Sequence, residues 1–254
     1  MSETDARPND PDTATAGDGP TPVARPVLSV IMPVYNEEAT LRQVVARVLA
    51  LDLAVDIDLL AVDDGSADRS VEILRSIEDP RLRIAVHPQN KGKGAAIRTG
   101  LDAAHGDIVV IQDADLEYDP AQWADLLEPI LAGDADVVYG SRFLGDAAGM
   151  RWQNRWANKG LTAMTRVLFG TGITDMETCY KMMRLEVLDG LTLEANRFDI
   201  EPEITSRLLR RGVEIVEIPI AYEARSHDDG KKIGWRDGVA AVRTLIKWRL
   251  RRNV

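Results

Sequence analysis

Short apolar runs alternate with amphipathic stretches along the first part of the chain. The apolar runs have the length of strands and lie at 27–32, 57–62, 82–86, 108–111 and 136–139. Helical spacing of apolar residues is found at 37–50, 66–77, 93–105 and in a segment that begins at Pro120. Strands that are apolar throughout and alternate with helices are typical of a mostly parallel sheet with helices on both faces. The pattern therefore predicts an α/β fold.

The second part of the chain is less regular. Segments 152–169 and 201–211 have a helical pattern, 177–183 fits a strand or a loop, and 213–218 alternates like an edge strand. The segment 235–252 predicts an amphipathic helix, whose apolar stripe consists of Trp235, Val239, Val242, Ile246 and Leu250. Such a stripe commonly packs on a core. The other side of the helix carries Trp248 among basic residues (Arg243, Lys247, Arg251 and Arg252), which suits an anionic membrane surface, and both interpretations stay open.

Composition divides the chain into three parts. Residues 1–26 are rich in Pro, Asp, Thr, Ala and Gly and predict a disordered tail. Residues 27–224 predict a catalytic domain, and 225–254 a basic loop and helix that packs on this domain or faces a membrane. The last part holds nine bases and three acids, although the whole chain has a net charge of -10. An acidic body of this kind argues against nucleic-acid binding.

Several features bear on the compartment. The apolar runs are far shorter than the roughly 20 residues that span a bilayer, and no secretory signal precedes the first strand. A lone cysteine, Cys179, allows no internal disulfide, and a buried structural thiol is its commonest role. We therefore expect a cytoplasmic protein, with peripheral contact at the inner face of the membrane as an open alternative.

Polar clusters directly follow the predicted strands. They are Pro33–Glu37, Asp63–Ser66, Asn90–Gly94 and Asp113–Asp115. Ligands of parallel sheets bind at the carboxyl ends of the strands, so these four clusters predict one site.

Two of the clusters suggest a nucleotide and a metal ion. Asp113 and Asp115 lie two residues apart at a strand end, where Mg²⁺ or Mn²⁺ can share them with substrate phosphates. The alternative is a pair of solvated loop acids. In the Asp63–Ser66 cluster, Asp64 is suited to accept hydrogen bonds from a base or a ribose. Ser66 can cap the following helix, and a simple turn is the alternative.

The Asn90–Gly94 cluster resembles a phosphate cradle. Lys91 and Lys93 supply charge, and two glycines with a helix N-terminus supply backbone donors. A solvated basic loop is the alternative. The spacing is not that of a Walker A loop, and the first strand lacks the Gly-x-Gly-x-x-Gly of dinucleotide-binding enzymes. The three histidines are scattered and support neither a metal site nor a Ser-His-Asp triad.

Together, the ordered clusters resemble the family 2 glycosyltransferases of the Rossmann-like GT-A fold. The similarity runs from about Leu28 to Arg249 and favours the polyprenyl-phosphate (dolichol-phosphate) mannosyl- and glucosyltransferase branch. The resemblance implies that Asp113 and Asp115 are the metal motif and that the donor contacts further residues: Pro33, Tyr35, Glu37, Val62, Asp64, Lys91, Lys93 and Ala114. Glu117 stands where the branch often has Gln and is assigned to the donor site.

The resemblance also implies residues near the acceptor. Arg142 matches an arginine that faces phosphate, and the segment 175–181 resembles the family's acceptor segment, with Cys179 in place of the usual glycine. Asp175 and Glu177 are the candidate bases if the acceptor is a hydroxyl; a lipid phosphate needs no strong base. Arg225 and Lys231 match basic residues of a loop that closes over the phosphates.

The predicted function is inverting, metal-dependent transfer of a hexose from a nucleotide-diphosphate sugar, of the GDP-mannose or UDP-glucose type, to polyprenyl phosphate. One alternative is the same fold with a soluble saccharide or metabolite as the acceptor. Others are a nucleotidyltransferase, disfavoured by the first loop, and a non-catalytic nucleotide-sugar-binding protein.

Overall fold

A computed structural model describes residues 24–147, 149–224 and 234–251. These residues form one seven-stranded sheet with seven α-helices. The strands are β1 Val27–Val34, β2 Asp56–Asp63, β3 Leu82–Val86, β4 Ile108–Ile111, β5 Val137–Asp146, β6 Lys181–Arg184 and β7 Val216–Ala221. The helices are α1 Leu41–Leu49, α2 Ser70–Arg75, α3 Lys93–Asp102, α4 Trp123–Ala132, α5 Trp152–Phe169, α6 Ile200–Arg210 and α7 Trp235–Leu250. The predicted division of the chain at residues 26 and 224 stays a prediction.

The strand order in the sheet is β3-β2-β1-β4-β6-β5-β7. Strands β1 to β4 are parallel to one another, and β7 is parallel to β5, whereas β6 runs antiparallel to both β4 and β5. The chain builds outward from β1 to β3 and then returns to place β4 on the other side of β1. This reversal is a topological switch point, where open α/β sheets form a crevice for ligands.

Both faces of the central strands are covered. On β1, Val30 and Met32 point to one face and Ser29 and Ile31 to the other, yet all four are buried. All four residues of β4 are buried as well. Only a sheet with packed layers on both faces buries consecutive residues in this way, so the predicted α/β architecture is confirmed.

The second part of the sheet differs in detail from the sequence pattern. The predicted edge strand at 213–218 lies at the sheet edge, but its paired residues are Val216–Ala221. The amide of Val213 instead bonds to the carbonyl of Leu208 and closes the end of α6, which delays the strand. The segment that fitted a strand or a loop supplies β6, inserted between β4 and β5.

Helix α7 buries a different face from the one that its main apolar stripe suggests. The buried residues are Ala241, Thr244, Leu245 and Trp248. Trp235 and Leu250 of the predicted stripe are 77% and 73% exposed, and Val239 and Ile246 are also exposed. The interpretation that this stripe packs on the core is therefore wrong. Among the residues in the three described ranges, no helix combines the length and hydropathy needed to cross a bilayer.

Trp248 fastens α7 to the domain. Its side chain is 1% exposed, and the guanidinium of Arg207 on α6 stacks over its ring at 4.3 Å. Arg210 of α6 donates to the Trp248 carbonyl at 2.7 Å. Glu194 accepts hydrogen bonds from Lys247 and Arg251, which lower its pKa to about 2. An aromatic anchor with a polar rim thus replaces the predicted stripe as the packing surface.

Replacing Trp248 by alanine is expected to destabilise the protein by about 3–5 kcal/mol, because the change opens a cavity under α7. The matched control is Trp235→Ala in the same helix, which removes an exposed ring and should change the stability by no more than about 0.5 kcal/mol. Urea unfolding monitored by circular dichroism measures both. Equal losses for the two variants would contradict this packing of α7.

Candidate active site

The site lies at the carboxyl ends of β1, β2 and β4, which are neighbours in the sheet. The loops that follow these strands are tied together by hydrogen bonds. The amide of Asp64 donates to the Val34 carbonyl at 2.8 Å, and the Thr40 hydroxyl donates to the Ala114 carbonyl at 2.9 Å. Three of the predicted polar clusters therefore meet at one edge of the sheet, as their order along the chain predicts.

Asn36 fixes the turn between β1 and α1. Its φ of 52° is in the left-handed region, which asparagine tolerates better than most residues. Its amide donates to the Ser66 hydroxyl at 2.9 Å, and its side-chain oxygen accepts from the amide of Ala67 at 2.8 Å. Ser66 thus joins two loops and does not cap α2; the amide of Ser70, the first residue of α2, donates instead to the carboxylate of Asp68.

Asp64 is the centre of a buried network. Its Oδ1 accepts from the amide of Lys91 at 2.9 Å, and its Oδ2 accepts from the amide of Gly92 at 2.7 Å. Nδ1 of His87 lies 2.8 Å from Oδ1, and Nε2 of His87 lies 2.9 Å from the Thr99 hydroxyl. The carboxylate therefore shapes the predicted phosphate loop, and its predicted contact with base or ribose stays a prediction.

The glycines of this loop are required by the neighbouring backbone. Gly92 has a φ of +101°, and a Cβ there would lie 2.3 Å from the Asn196 carbonyl oxygen. A Cβ at Gly94 would lie 2.7 Å from the Ala195 carbonyl oxygen. The amide of Ala95, in the first turn of α3, donates a hydrogen bond to the same Asn196 carbonyl oxygen. Segment 195–197 thus covers part of the helix N-terminus that the sequence assigns to a phosphate.

Lys93 belongs to a chain of charges. Its ammonium lies 2.7 Å from Asp113 and 3.4 Å from Glu201, and Glu201 lies 2.7 Å from the ammonium of Lys181. Burial alone would lower the pKa of Lys93, but the charges of Asp113 and Glu201 outweigh it and raise the pKa well above its usual value. Lys93 therefore stays cationic beside Asp113, the first acid of the predicted metal motif, whereas Lys91 is exposed.

Asp113 and Asp115 follow β4 and frame Ala114, which is buried. Oδ1 of Asp115 accepts from the amide of Glu117 at 3.0 Å. Among the described residues, no group of three or more His, Cys, Asp or Glu side chains forms a complete metal site. Two hard carboxylates are the set that Mg²⁺ or Mn²⁺ shares with substrate phosphates and water, so the residues fit a metal that arrives with its ligand.

The other predicted donor residues occupy different depths. Pro33, Tyr35 and Glu37 are half-buried at the rim, and Val62 is wholly buried in β2. Glu117 accepts a hydrogen bond from the Tyr222 hydroxyl at 2.9 Å. Burial and the Glu117 charge raise the pKa of Tyr222. Glu117 thus connects Asp115 of the predicted metal motif to Tyr222, which follows β7.

Arg142 and Asp175 form a buried pair on the other side of the site. The guanidinium donates to both carboxylate oxygens, at 2.7 and 2.8 Å, and the Arg142 amide adds a third bond. Burial opposes the charge of Arg142, but its partners raise its pKa well above the usual value. Glu217 on β7 accepts from the amides of Thr174 and Asp175 and orients this turn. With its oxygens engaged and its side chain wholly buried, Asp175 is poorly placed to take a substrate proton.

Glu177 has a different environment, two residues further along. Its Oε1 is buried and has no hydrogen-bond partner in the described part of the chain. Burial raises the pKa of Glu177 to about 7, with Lys181 opposing the shift. Lys181 is itself wholly buried and donates to the carbonyls of Met176 and Thr178. Cys179 is buried and burial raises its pKa well above the usual value, which fits a structural thiol.

Three residues that organise this site are not among the candidates that the sequence pattern indicates: His87, Glu201 and Glu217. His87 directly follows β3, at the same sheet edge as the other clusters, and this position is a signal that could have identified it. Glu201 and Glu217 carry no such signal, because an acid in a first helical turn or an alternating edge strand is normally solvated. Arg225 and Lys231 lie outside the described residues.

This chain is similar to known proteins. The family described as Glycosyl transferase family 2 matches residues 29–192. The undecaprenyl-phosphate 4-deoxy-4-formamido-L-arabinose transferase of Aeromonas hydrophila is 29% identical over 210 residues, with 81% of this chain covered. This chain spans 62% of the length of that relative. The undecaprenyl-phosphate mannosyltransferase of Micrococcus luteus is 30% identical over 234 residues, which cover 87% of this chain and 93% of the relative.

The fold is also similar to that of a solved structure. Glucosyl-3-phosphoglycerate synthase of Mycobacterium tuberculosis, in complex with Mn²⁺, UDP and phosphoglyceric acid, superposes with a TM-score of 0.67 at 22% identity. The match covers 89% of this chain and 78% of that structure. Such a likeness supports the predicted GT-A architecture. Because the family match covers more than half of the chain, and a 30% identical relative matches almost end to end, this chain belongs to glycosyl transferase family 2.

Proposed function

We propose that this chain transfers a hexose from a nucleotide-diphosphate sugar to a polyprenyl phosphate. The donor is of the GDP-mannose or UDP-glucose type, and the transfer inverts the anomeric carbon. The observation that carries the proposal is the meeting of the loops after β1, β2 and β4 around Asp113 and Asp115, in a member of this family. The names of the relatives, which act on undecaprenyl phosphate, support the choice of acceptor.

The loops that are hydrogen-bonded to one another after β1, β2 and β4 define the proposed donor site. In this proposal the nucleotide lies along the crevice at the switch point, between the rim residues Tyr35 and Glu37 and the loop held by Asp64. Lys91, whose side chain is exposed beside this loop, is placed to meet a diphosphate. The network of Asp64 and His87 holds the loop in position before the donor arrives, which reduces the ordering cost of binding.

Asp113 and Asp115 would hold Mg²⁺ or Mn²⁺ together with diphosphate oxygens. When bound, the ion neutralises negative charge on the departing nucleoside diphosphate. Lys93 keeps the Asp113 carboxylate oriented and partly neutralised in the absence of a ligand. We assign Arg225 and Lys231, which lie outside the described residues, to the phosphates, as the family resemblance implies.

The acceptor side is assigned to Arg142 and the turn at 174–178. A lipid phosphate is anionic at neutral pH and attacks without a strong base, so the chain needs a cation and a shaped surface there. Asp175 acts in this proposal as a positioning residue that holds the Arg142 guanidinium. In this assignment Asp175 is not a catalytic base. It forms a bidentate ion pair with Arg142, and such a pair is stronger and more directional than a single charged hydrogen bond.

A soluble hydroxyl acceptor is the second candidate, and Glu177 is the observation that favours it. A hydroxyl must lose its proton, and a carboxylate with a pKa of about 7 is well matched to that task near neutral pH. The two candidates therefore differ in whether the reaction needs Glu177.

The first prediction from the proposed function concerns the donor. One nucleotide sugar from a panel should stabilise the protein in the presence of Mn²⁺, by about 2.7 kcal/mol at a hundredfold excess over its Kd. Asp115→Asn keeps an oxygen that can accept the Glu117 amide but removes the charge, and it should lose this gain. Thermal shift measures the effect.

The matched control for that experiment is Asp134→Asn, which removes an exposed carboxylate after α4 and should leave the gain intact. The proposed donor site would be excluded if the nucleotide sugar stabilised Asp115→Asn as much as the wild type. It would also be excluded if the stabilisation were the same with and without Mn²⁺.

The second prediction concerns the acceptor. With the donor identified, labelled sugar should move to undecaprenyl phosphate but not to undecaprenol, because only the phosphate offers an anionic nucleophile. Thin-layer chromatography of the organic extract separates the products. Transfer to a water-soluble saccharide alone would support the second candidate, and donor binding without any transfer would indicate a non-catalytic protein.

The third prediction concerns pH. The pKa of Glu177 is about 7 in the folded state and near the ordinary 4.5 in the unfolded chain, so the folded state binds the proton more tightly. Stability should therefore fall as the pH rises from about 4.5 to 7, by up to about 3 kcal/mol. Glu177→Gln should remove this loss in urea unfolding at pH 5 and pH 8, whereas Glu128→Gln, an exposed control on α4, should not.

The same Glu177 variant separates the two acceptors. Transfer to a lipid phosphate should retain most of its kcat, whereas transfer to a hydroxyl should lose about 10²–10⁴-fold, the usual contribution of a general base. An unchanged pH dependence of stability in Glu177→Gln would refute the proposed environment of this carboxyl.

A further inference from the structure

Helix α7 has two apolar faces, and only one of them is packed. Ala241, Leu245 and Trp248 are buried, whereas Trp235, Val239, Ile246 and Leu250 are exposed on the opposite side of the helix. Water-facing helix surfaces are normally polar, so a row of large apolar side chains opposite the packed face requires an explanation.

Helix α5 repeats this arrangement. Its buried residues are Thr162 and Thr165, and the opposite side carries Trp152, Trp156, Ala163 and Val167, all exposed. The spacing of these four residues, 4, 7 and 4, is the same as that of the exposed row on α7. Trp152 and Trp156 are 69% and 70% exposed.

The two helices lie side by side. Leu245 of α7 packs with Leu161, Met164 and Leu168 of α5 in a small cluster separate from the main core. The same cluster holds Ile173 and Met176, which flank the Asp175 turn. We call the exposed rows of both helices, with the basic residues beside them, the α5–α7 face.

The charge of the α5–α7 face is opposite to that of the rest of the chain. Between residues 151 and 169 there are four basic and no acidic side chains, and between 235 and 251 there are five basic residues and one acid. These two segments thus carry +8, of which two charges, Lys247 and Arg251, are paired with Glu194 at the packed side of α7, although the chain as a whole has a net charge of -10. Arg155, Arg166 and Arg243 are exposed.

Exposed tryptophan rings together with positive charge indicate which partner binds the α5–α7 face. A second copy of the chain would bring an equally basic face against this one, and like charges oppose such a contact. A partner that accepts tryptophan rings and also carries negative charge is the headgroup region of an anionic bilayer. Tryptophan is favoured at that depth, and each nearby lysine or arginine adds about 1 kcal/mol of attraction.

We propose that the α5–α7 face docks this protein on the surface of an anionic membrane, with α5 and α7 lying in the interface. The proposal deepens the proposed function, since docking holds the Asp175 turn close to a lipid acceptor. It does not depend on catalysis, because the docking residues are separate from the donor site.

The test uses vesicles of phosphatidylcholine alone or with about one-third phosphatidylglycerol, which is enough charge to attract a basic segment. Neither contains polyprenyl phosphate, and no donor is present. The full chain should bind the anionic vesicles, and doxyl-labelled lipids should quench its tryptophan fluorescence. Trp123 and Trp248 are buried, so the quenched signal should come from Trp152, Trp156 and Trp235.

Single variants test each half of the face. Trp156→Ser and Trp235→Ser should each weaken binding at least about fivefold, as should Arg155→Gln and Arg243→Gln, which corresponds to about 1 kcal/mol per group. Leu131→Ser, which removes an exposed leucine from α4, is the matched control and should bind like the wild type. Far-UV circular dichroism confirms that each variant is folded.

Each contrary outcome has its own meaning. Failure to bind anionic vesicles, or equal binding by the tryptophan variants, would overturn the proposal. Concentration-dependent dimerisation that the same variants abolish would show that a second copy covers the face. Donor-induced thermal stabilisation is measured on the same variants and should be unchanged. If the donor does not stabilise the wild type, this result counts against the proposed function. The docking proposal is then still decided by the vesicle-binding results.

Discussion

The two halves of the site are joined by one buried carboxylate, Glu201. It lies between the ammonium groups of Lys93 and Lys181, and these reach Asp113 on one side and the carbonyls of Met176 and Thr178 on the other. Buried charges are tolerated only when their partners are complete, and removing one member leaves another uncompensated. The proposed metal motif after β4 and the turn at 174–178 before β6 are therefore held at a fixed separation by the same chain of charges.

This constraint explains why the local sequence around the donor loops is glycine-rich. Segment 195–197 lies shortly before α6, the helix that carries Glu201. Its carbonyl oxygens lie directly against Gly92 and Gly94. A side chain at either glycine would separate α3 from this segment and pull Lys93 away from Glu201. The sequence pattern predicts that the same two glycines let a phosphate approach the backbone. The packing of backbone against backbone accounts for them without a ligand, so the predicted cradle rests on Lys91 and the Asp64 network.

Much of the fold was predictable, because burial on both faces of a parallel sheet produces long apolar strands such as β1 and β4. The site edge was predictable for a related reason: polar residues follow those strands. What sequence periodicity could not decide was which apolar row of α7 is packed. Two rows on opposite sides have similar spacing, and the choice is made by partners on α6 and α5, such as Arg207 and Met164, that are distant in sequence. Glu217 and the antiparallel insertion of β6 depend on tertiary contacts in the same way.

In the turn at 174–178, proposed to meet the acceptor, the fold gives different environments to two carboxylates that lie two residues apart in the sequence. Asp175 is paired with Arg142, and its charge is compensated by a bidentate contact. Glu177 points into a site where Lys181 is already engaged by Glu201, so burial dominates and its proton is retained up to about pH 7. Neighbouring acids whose environments differ in this way take different roles. Asp175 is suited to position a cation for an anionic acceptor. Glu177, once ionised, is the carboxylate that would take the proton of a hydroxyl acceptor, so the two proposed acceptors differ in which of these two acids the reaction uses.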